Sequence, residues 1–128
     1  MIYLDTSVVL AQVLAEDVRP PEAVWREPLV SSRLTEYETW TRIHARGLGE
    51  SHGEALQGTL ARVSFLELAH EVVARALDPF PIAVRTLDAF HLASVEYLRG
   101  QRLEVELATY DERMRSAAEA LGIALVAL

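Results

Sequence analysis

The strongest constraint on the fold is the alternation of short apolar runs with longer helix-like segments along the chain. The clearest unit is an apolar run over residues 105–109, a helical segment that Asp111 opens and Gly122 closes, and a second apolar run over residues 123–128. Asp is a favoured N-cap, and Gly commonly follows the end of a helix. Repeated strand–helix–strand units predict a mostly parallel sheet with helices on both faces.

The same signals divide the rest of the chain. Strands are predicted over residues 1–4, 29–31, 63–68, 105–109 and 123–128. Helices are predicted over residues 8–14, 33–44, 53–62, 71–77 and 87–99 and after Asp111, with Thr86 as the cap of the fifth. No linker or internal repeat interrupts the pattern, so residues 1–128 are expected to form a single α/β domain.

Composition excludes several kinds of chemistry. The chain has no cysteine, and therefore neither disulfides nor thiolate metal sites. No apolar run is long enough to span a bilayer and no signal peptide opens the chain, so a cytoplasmic protein without a membrane role is expected. The formal charge is −7. This acidic balance argues against broad contact with phosphates, unless the negative charge is gathered at a site that binds cations.

Three aspartates are placed where such a site would form. Asp5 follows the first predicted strand and Asp111 follows the strand over residues 105–109, so both lie at the edge of the sheet where α/β proteins bind ligands. Asp88 lies in the first turn of a predicted helix, near its free N–H groups. Converging carboxylates repel one another unless a cation is present, and oxygen ligands without Cys or His select Mg²⁺ or Mn²⁺.

The helix over residues 33–44 supplies a fourth acid. We expect this helix to bury the stripe that contains Leu34 and Tyr37. On the helical wheel, Glu38 lies about 40° from Leu34 and so flanks that stripe, whereas Glu36 lies about 200° from Leu34, on the opposite side. We therefore predict that Glu38 completes the site, and Glu36 stays the alternative.

The same helix phase makes a prediction about aromatic residues. It leaves Trp40 and Ile43 outside the core stripe, and Trp25 is likewise predicted to lie outside it. Large apolar residues on an outer face indicate a partner surface. A different helix phase would instead bury both tryptophans in the core.

Each acid also has an ordinary structural explanation. Asp5 and Asp111 could be helix N-caps, Asp88 could interact with a helix dipole, and Glu38 could pair with Arg42 one turn later. Four such residues together favour a site over four separate coincidences.

Four segments carry a family resemblance. They are "MIYLDTSVVL" around Asp5, "SSRLTEYETWTR" around Glu38, "RTLDAFHLAS" around Asp88 and "ATYDERMRSAAEALGIALV" around Asp111. Together they resemble PIN-domain nucleases, most closely the VapC toxins of toxin–antitoxin pairs, over essentially the whole chain. The resemblance implies a PIN-like three-layer sandwich whose five-stranded sheet has the order 3-2-1-4-5. The chain departs from the pattern in its doubled glutamate and in Phe90, where a smaller aliphatic residue is common.

The resemblance also implies an activity. One or two Mg²⁺ or Mn²⁺ ions would be held by the catalytic acids Asp5, Glu38, Asp88 and Asp111. Of these, Asp5 and Asp88 would be the direct metal ligands, and the other two would act partly through water. The implied reaction is hydrolysis of RNA phosphodiester bonds by metal-activated water, in a toxin that arrests growth.

Neighbouring polar residues are candidates for secondary roles. Thr6 and Ser7 could hold the scissile phosphate together with the N–H groups of the first helix, or act as ordinary caps. Thr109 could orient the carboxylate of Asp111 or touch the substrate. His91 is expected to be a packed core residue, not a general base.

The expected partners are an RNA substrate, a VapB-like antitoxin whose C-terminal segment blocks the acidic site, and a second copy of the chain. A phosphatase of the haloacid dehalogenase type is a weak alternative, because Ser7 stands where its second aspartate is required and the chain has no lysine. A catalytically silent binding module is the remaining alternative. The loss of an acid would indicate it, and none is missing.

Overall fold

One parallel sheet organises the molecule. The computed structural model describes residues 1–15 and 17–128, and its five strands have the order β3-β2-β1-β4-β5. The strands are β1 (Ile2–Leu4), β2 (Leu29–Ser32), β3 (Val63–Leu66), β4 (Glu106–Ala108) and β5 (Ala124–Leu125). All four pairings are parallel. The predicted fold class and strand order are therefore confirmed.

Helices connect successive strands. They are α1 (Thr6–Val13), α2 (Arg33–Ala45), α3 (Gly49–Leu60), α4 (His70–Leu77), α5 (Thr86–Gly100) and α6 (Glu112–Ala120), with a 3₁₀ turn at Glu22–Arg26. Across residues 1–15 and 17–128, no helix is both long and apolar enough to cross a membrane.

Two apolar cores lie on opposite faces of the sheet. The first contains residues of α1, α2 and α3, and the second contains residues of α5 and α6. In β1, Ile2 and Leu4 belong to the first core and Tyr3 belongs to the second. Alternate residues of a strand point to opposite faces, so the central strand is buried on both sides.

Some predicted boundaries were wrong. The strand predicted over residues 63–68 ends at Leu66, and the strand predicted over residues 123–128 pairs only at Ala124–Leu125. Leu128 nevertheless packs against the first core. The apolar run at the end of the chain therefore reflects burial beyond the strand ladder. Thr86 does not cap α5, because the N-cap position belongs to Arg85 and Thr86 is already helical.

The predicted phase of α2 was also wrong. Its buried residues are Thr35, Thr39 and Ile43, spaced one turn apart, whereas Tyr37 is 66% exposed. Burial is possible because the hydroxyls are satisfied. Thr39 Oγ1 donates to the Thr35 carbonyl oxygen at 2.8 Å, and Ser31 Oγ donates to Thr35 Oγ1 at 2.7 Å. A search for an apolar stripe cannot detect a buried face built from paired hydroxyls.

The tryptophans lie in or against the core, so the predicted tryptophan partner surface was wrong. Trp25 is 8% exposed and belongs to the first core, and Trp40 packs against that core. A Cβ added at Gly53 would lie 3.4 Å from Trp40 Cη2, so α3 approaches this ring closely. The alternative phase, in which both tryptophans are packed, describes the structure.

Candidate carboxylate site

A cleft of about 510 Å³ lies at the carboxyl end of the central strands, and we call it the acid cleft. It is lined by the four predicted acids Asp5, Glu38, Asp88 and Asp111. Leu4 of β1 pairs with Ala108 of β4, and this pairing brings the residues that follow both strands to the same edge. The strand order therefore joins acids that lie far apart in the sequence.

Two hydroxyls fix Asp5. Its Oδ2 accepts hydrogen bonds from Ser7 Oγ at 2.8 Å and from Thr109 Oγ1 at 2.7 Å, and the residue is 5% exposed. Asp5 occupies the N-cap position of α1 but makes no side-chain cap bond. Thr109 thus contacts the carboxylate of Asp5 and not that of Asp111. To Asp111 it is linked through the backbone, because Thr109 Oγ1 accepts the Asp111 N–H at 3.0 Å.

Glu38 is held by a hydroxyl and an imidazole. Its Oε1 accepts from Thr6 Oγ1 at 2.9 Å and is 2.7 Å from Nε2 of His91. Glu36 instead faces away from the cleft and pairs with Arg33 at 3.4 Å. The structure therefore places Glu38 in the cleft, although the helix phase that predicted it was wrong.

His91 joins the cleft to the interior of the sheet. It is 1% exposed, and its Nδ1 lies 2.8 Å from the hydroxyl of Tyr3. An ionised Glu38 only accepts hydrogen bonds, so Nε2 of the imidazole carries the proton that lies between them. Burial raises the pKa of Tyr3, which keeps its hydroxyl neutral and able to donate to Nδ1.

The pKa of His91 reflects opposing effects. Burial of the imidazole lowers it, but the hydrogen bond with Glu38 and the nearby charges of Asp5, Glu38 and Asp88 together outweigh burial, so the pKa is raised. Nε2 is 3.9 Å from Asp5 Oδ1. One buried imidazole therefore lies within reach of two of the acids.

Asp88 and Asp111 differ in their surroundings. Asp111 Oδ1 accepts the Met114 N–H at 3.0 Å and caps α6. Asp88 Oδ2 is buried and has no hydrogen-bond partner within the described ranges. Its pKa is raised by burial first, and then by the negative charges of Asp111 and Asp5. Asp111 caps its helix, as the structural explanation proposed. Among the described residues, Asp5 makes no side-chain cap bond, and Glu38 forms no pair with Arg42.

These features fit a cation site. Oxygen donors line one cleft, and the buried Asp88 Oδ2 lacks the partner that a cation would supply. Among residues 1–15 and 17–128, however, no three acidic or histidine side chains already stand close enough to hold a metal ion. The carboxylates are thus gathered in one cleft but not drawn into a coordination sphere.

The chain matches a known protein family over most of its length. The family profile described as PIN domain matches residues 2–120. The chain belongs to the PIN-domain family. The matched segment of this PIN domain contains all four acids of the cleft.

Relatives place this PIN domain more closely. It is 38% identical to Ribonuclease VapC46 of Mycobacterium tuberculosis, over 98% of the chain and 96% of the relative. It is 33% identical to Ribonuclease VapC35 of the same species, over 99% of the chain and 96% of that relative. This is therefore a VapC-type PIN domain, as the resemblance of its motifs predicted.

A solved structure supports the same fold. A chain of "Toxin-antitoxin complex from Klebsiella pneumoniae" superposes with a TM-score of 0.68, covering 99% of this PIN domain and 97% of that chain. The sequence identity is 15%, so this likeness concerns the fold alone.

Sequence reasoning missed the part that His91 and Tyr3 play in this PIN domain. His91 was expected to be packed, and it is, but it also contacts Glu38. A usable signal was present. Tyr3 lies in the middle of a central apolar strand, where its hydroxyl requires a buried partner, and His91 lies on the inner face of an otherwise apolar helix.

Proposed function

We propose that this VapC-type PIN domain is a metal-dependent endoribonuclease that hydrolyses RNA phosphodiester bonds. It acts as a single domain over residues 1–128, in the cytoplasm, as a toxin that arrests growth by cutting RNA. The observation that carries the proposal is the convergence of four carboxylates, from four separate parts of the chain, in one cleft. The relatives named ribonucleases support RNA as the substrate.

Each acid has a proposed task. Asp5 and Asp88 are the direct ligands of Mg²⁺ or Mn²⁺, and Glu38 and Asp111 complete the site. When bound, the ion supplies an activated water and offsets negative charge on the scissile phosphate. The chain contributes orientation, because hydroxyls fix Asp5 and a hydroxyl and an imidazole fix Glu38. Fixed ligands lower the reorganisation needed during reaction.

Three polar residues are proposed to assist substrate binding. The side chains of Thr6, Ser7 and Thr109 already donate to carboxylates, so they act on the substrate through the acids that they hold. The backbone N–H groups of Thr6 and Ser7 open α1 at the cleft and are proposed to receive the phosphate.

The partners follow from the same cleft. A concentration of negative charge is complementary to a basic segment, so a VapB-like antitoxin is proposed to block the acid cleft. We also propose a homodimer, for which the molar mass from light scattering is the test. A silent binding module is not favoured, because all four acids are present and gathered in the cleft.

The decisive experiment uses the chain purified free of any partner. Cleavage of a random RNA pool is followed with Mg²⁺, with EDTA, and with the variants Asp5→Asn and Asp88→Asn. Each asparagine keeps the size of the side chain and removes its charge. Cleavage should need Mg²⁺ and fall by at least about 100-fold in both variants. Glu36→Gln is the matched control, since Glu36 lies outside the cleft, and it should cut like the wild type.

Two results would contradict the proposal. Wild-type rates in both asparagine variants would show that these acids do not carry the reaction. A chain that neither cuts RNA nor binds Mg²⁺ in calorimetry would instead be a binding module.

A further inference from the structure

A second hollow adjoins the acid cleft, with a volume of about 350 Å³, and we call it the side hollow. It is lined by Ser7, Leu10, Ala11, Val18, Arg42 and Tyr110. Ser7, Leu10 and Arg42 line both the side hollow and the acid cleft, so the two spaces adjoin. Its volume lies within the range of about 300–1,000 Å³ that small-molecule sites occupy.

The side hollow differs from the acid cleft in its chemistry. Leu10, Ala11 and Val18 give it apolar walls, and Tyr110 adds an aromatic ring. Among residues 1–15 and 17–128, no carboxylate lines the side hollow, whereas four carboxylates line the acid cleft. Such walls suit an uncharged aromatic ligand and would bind a hydrated cation or a phosphate poorly.

Arg42 stands where the two spaces meet. Its side chain is exposed, and within the described part of the chain it forms no ion pair. Glu38, one turn earlier, is held by Thr6 and His91. A guanidinium can bind a phosphate and can also stack on a planar ring. The boundary therefore offers a positive charge between a site for phosphate chemistry and an apolar hollow.

We propose that the side hollow binds the nucleobase of a nucleotide next to the scissile phosphate. This inference rests on the proposed ribonuclease function, because it takes RNA to be the ligand of the acid cleft. A ribose links each base to its phosphate, so a base site must adjoin the phosphate site. The side hollow meets this condition, because it shares lining residues with the acid cleft. Single-stranded RNA is recognised largely through unstacked bases that pack on aromatic and guanidinium planes.

The first test measures base binding without cleavage. Methyl-labelled protein is titrated in EDTA with the four ribonucleosides and, as a control, with ribose, while NMR follows the methyl groups of Leu10, Val18 and Leu77. Leu77 is 81% exposed and lines neither space. At least one nucleoside should shift the Leu10 and Val18 signals, and ribose should not. Absence of these shifts, or equal shifts with ribose, would overturn the proposal and leave the hollow to a protein partner.

The second test measures base selection during cleavage. Cut ends from a random RNA pool are sequenced for the wild type, for Val18→Trp and Ala11→Leu, which narrow the hollow from its rim and its wall, and for Leu77→Trp as the control. The preference for a base beside the cut should change by at least about 5-fold in the first two variants only, the lower end of what one stacked base contributes. Thermal unfolding identifies a variant that has lost its fold.

The outcomes separate this inference from the proposed function. If RNA is cut in an Asp5-dependent way but the cut ends are the same in every folded variant, the side hollow holds no base and only the inference fails. If nucleosides bind while no RNA is cut, base binding by the side hollow is supported and the ribonuclease function is contradicted.

Discussion

At the scale of single residues, each acid in the cleft has a different kind of neighbour. Two hydroxyls hold Asp5, Thr6 and His91 hold Glu38, and a helix N–H occupies one oxygen of Asp111. Asp88 Oδ2 has no partner within the described residues. The site thus holds three carboxylates by hydrogen bonds, whereas the charge of Asp88 is offset only in part, by the nearby Arg85 and His91.

His91 should position Glu38 for metal binding. We expect His91→Leu to remove the donor to Glu38 and to lower both Mn²⁺ affinity, measured by calorimetry, and RNA cleavage by about 10-fold or more. His91→Gln retains an N–H donor and should restore part of both. If His91→Leu loses thermal stability but the folded variant keeps its Mn²⁺ affinity, His91 serves packing and does not position Glu38. His70→Leu, at an exposed position on α4, is the control.

Asp88 should reduce the stability of the metal-free protein. A carboxyl whose pKa is raised on folding destabilises the fold at neutral pH, where the group is charged. Asp88→Asn should therefore be more stable in EDTA by about 0.5–2 kcal/mol, the range that is common for single stabilising substitutions. Added Mg²⁺ should raise the unfolding temperature of the wild type more than that of the variant.

The exposed Asp78 provides the control for this measurement, and Asp78→Asn should leave both stability and the response to Mg²⁺ unchanged. A less stable Asp88→Asn protein would show that the carboxylate has a structural role.

The acids were accessible to sequence reasoning because three of them follow strand ends or open a helix, where the backbone fixes their place. The contact of His91 with Glu38 was not, because it depends on how α5 lies against β1 and α2. The sequence indicates that Tyr3 and His91 need buried polar partners, but tertiary packing decides which residues those partners are.

At the scale of elements, α2 shows how the position of a residue can be predicted from a wrong helix phase. The apolar stripe that contains Leu34 and Tyr37 was predicted to be buried, but the buried face is Thr35, Thr39 and Ile43. Glu38 borders either face, so the prediction of its place survived the error. Hydroxyls that bond within the helix and to β2 replaced apolar contacts, and they look polar in the sequence.

Asp111 combines a helix cap with a place in the acid cleft, and two substitutions separate these roles. Asp111→Asn can still accept the Met114 N–H, so its unfolding free energy in urea should stay within about 0.5 kcal/mol of the wild type. Asp111→Ala should lose about 1 kcal/mol. Both should lose most RNA cleavage, because both lack the carboxylate. Full activity in Asp111→Asn would show that only the cap matters.

At the scale of the whole molecule, the formal charge of −7 limits how RNA can bind. The acid cleft contains two arginines, Arg42 and Arg85, among its lining residues. Binding should therefore depend weakly on salt.

For a single strand, each neutralised phosphate contributes about −0.7 to the slope of log K against log salt, so two arginines predict a slope of about −1.4. The measurement is binding of labelled RNA to the inactive Asp5→Asn variant over a range of NaCl at constant Mg²⁺. A slope steeper than about −4 would indicate an extended basic surface elsewhere on the protein.

The architecture was partly predictable at this scale. Alternating strands and helices indicated a parallel sheet, but only the family resemblance implied the strand order. Local patterns do not specify which strands pair, because pairing joins segments such as Ile2–Leu4 and Glu106–Ala108 that are distant in the chain.

The central position of β1 has a consequence during protein synthesis. Asp5 depends on a hydrogen bond from Thr109, 104 residues later, and β1 cannot gain its second neighbour until β4 has been made. A ribosome completes a chain at about 5–20 residues per second, and pairing between distant segments is the slow part of folding. A nascent chain that stops short of β4 therefore lacks both the strand that pairs with β1 and the Thr109 hydrogen bond to Asp5. For the proposed ribonuclease, this order of events should delay activity until most of the chain has been translated.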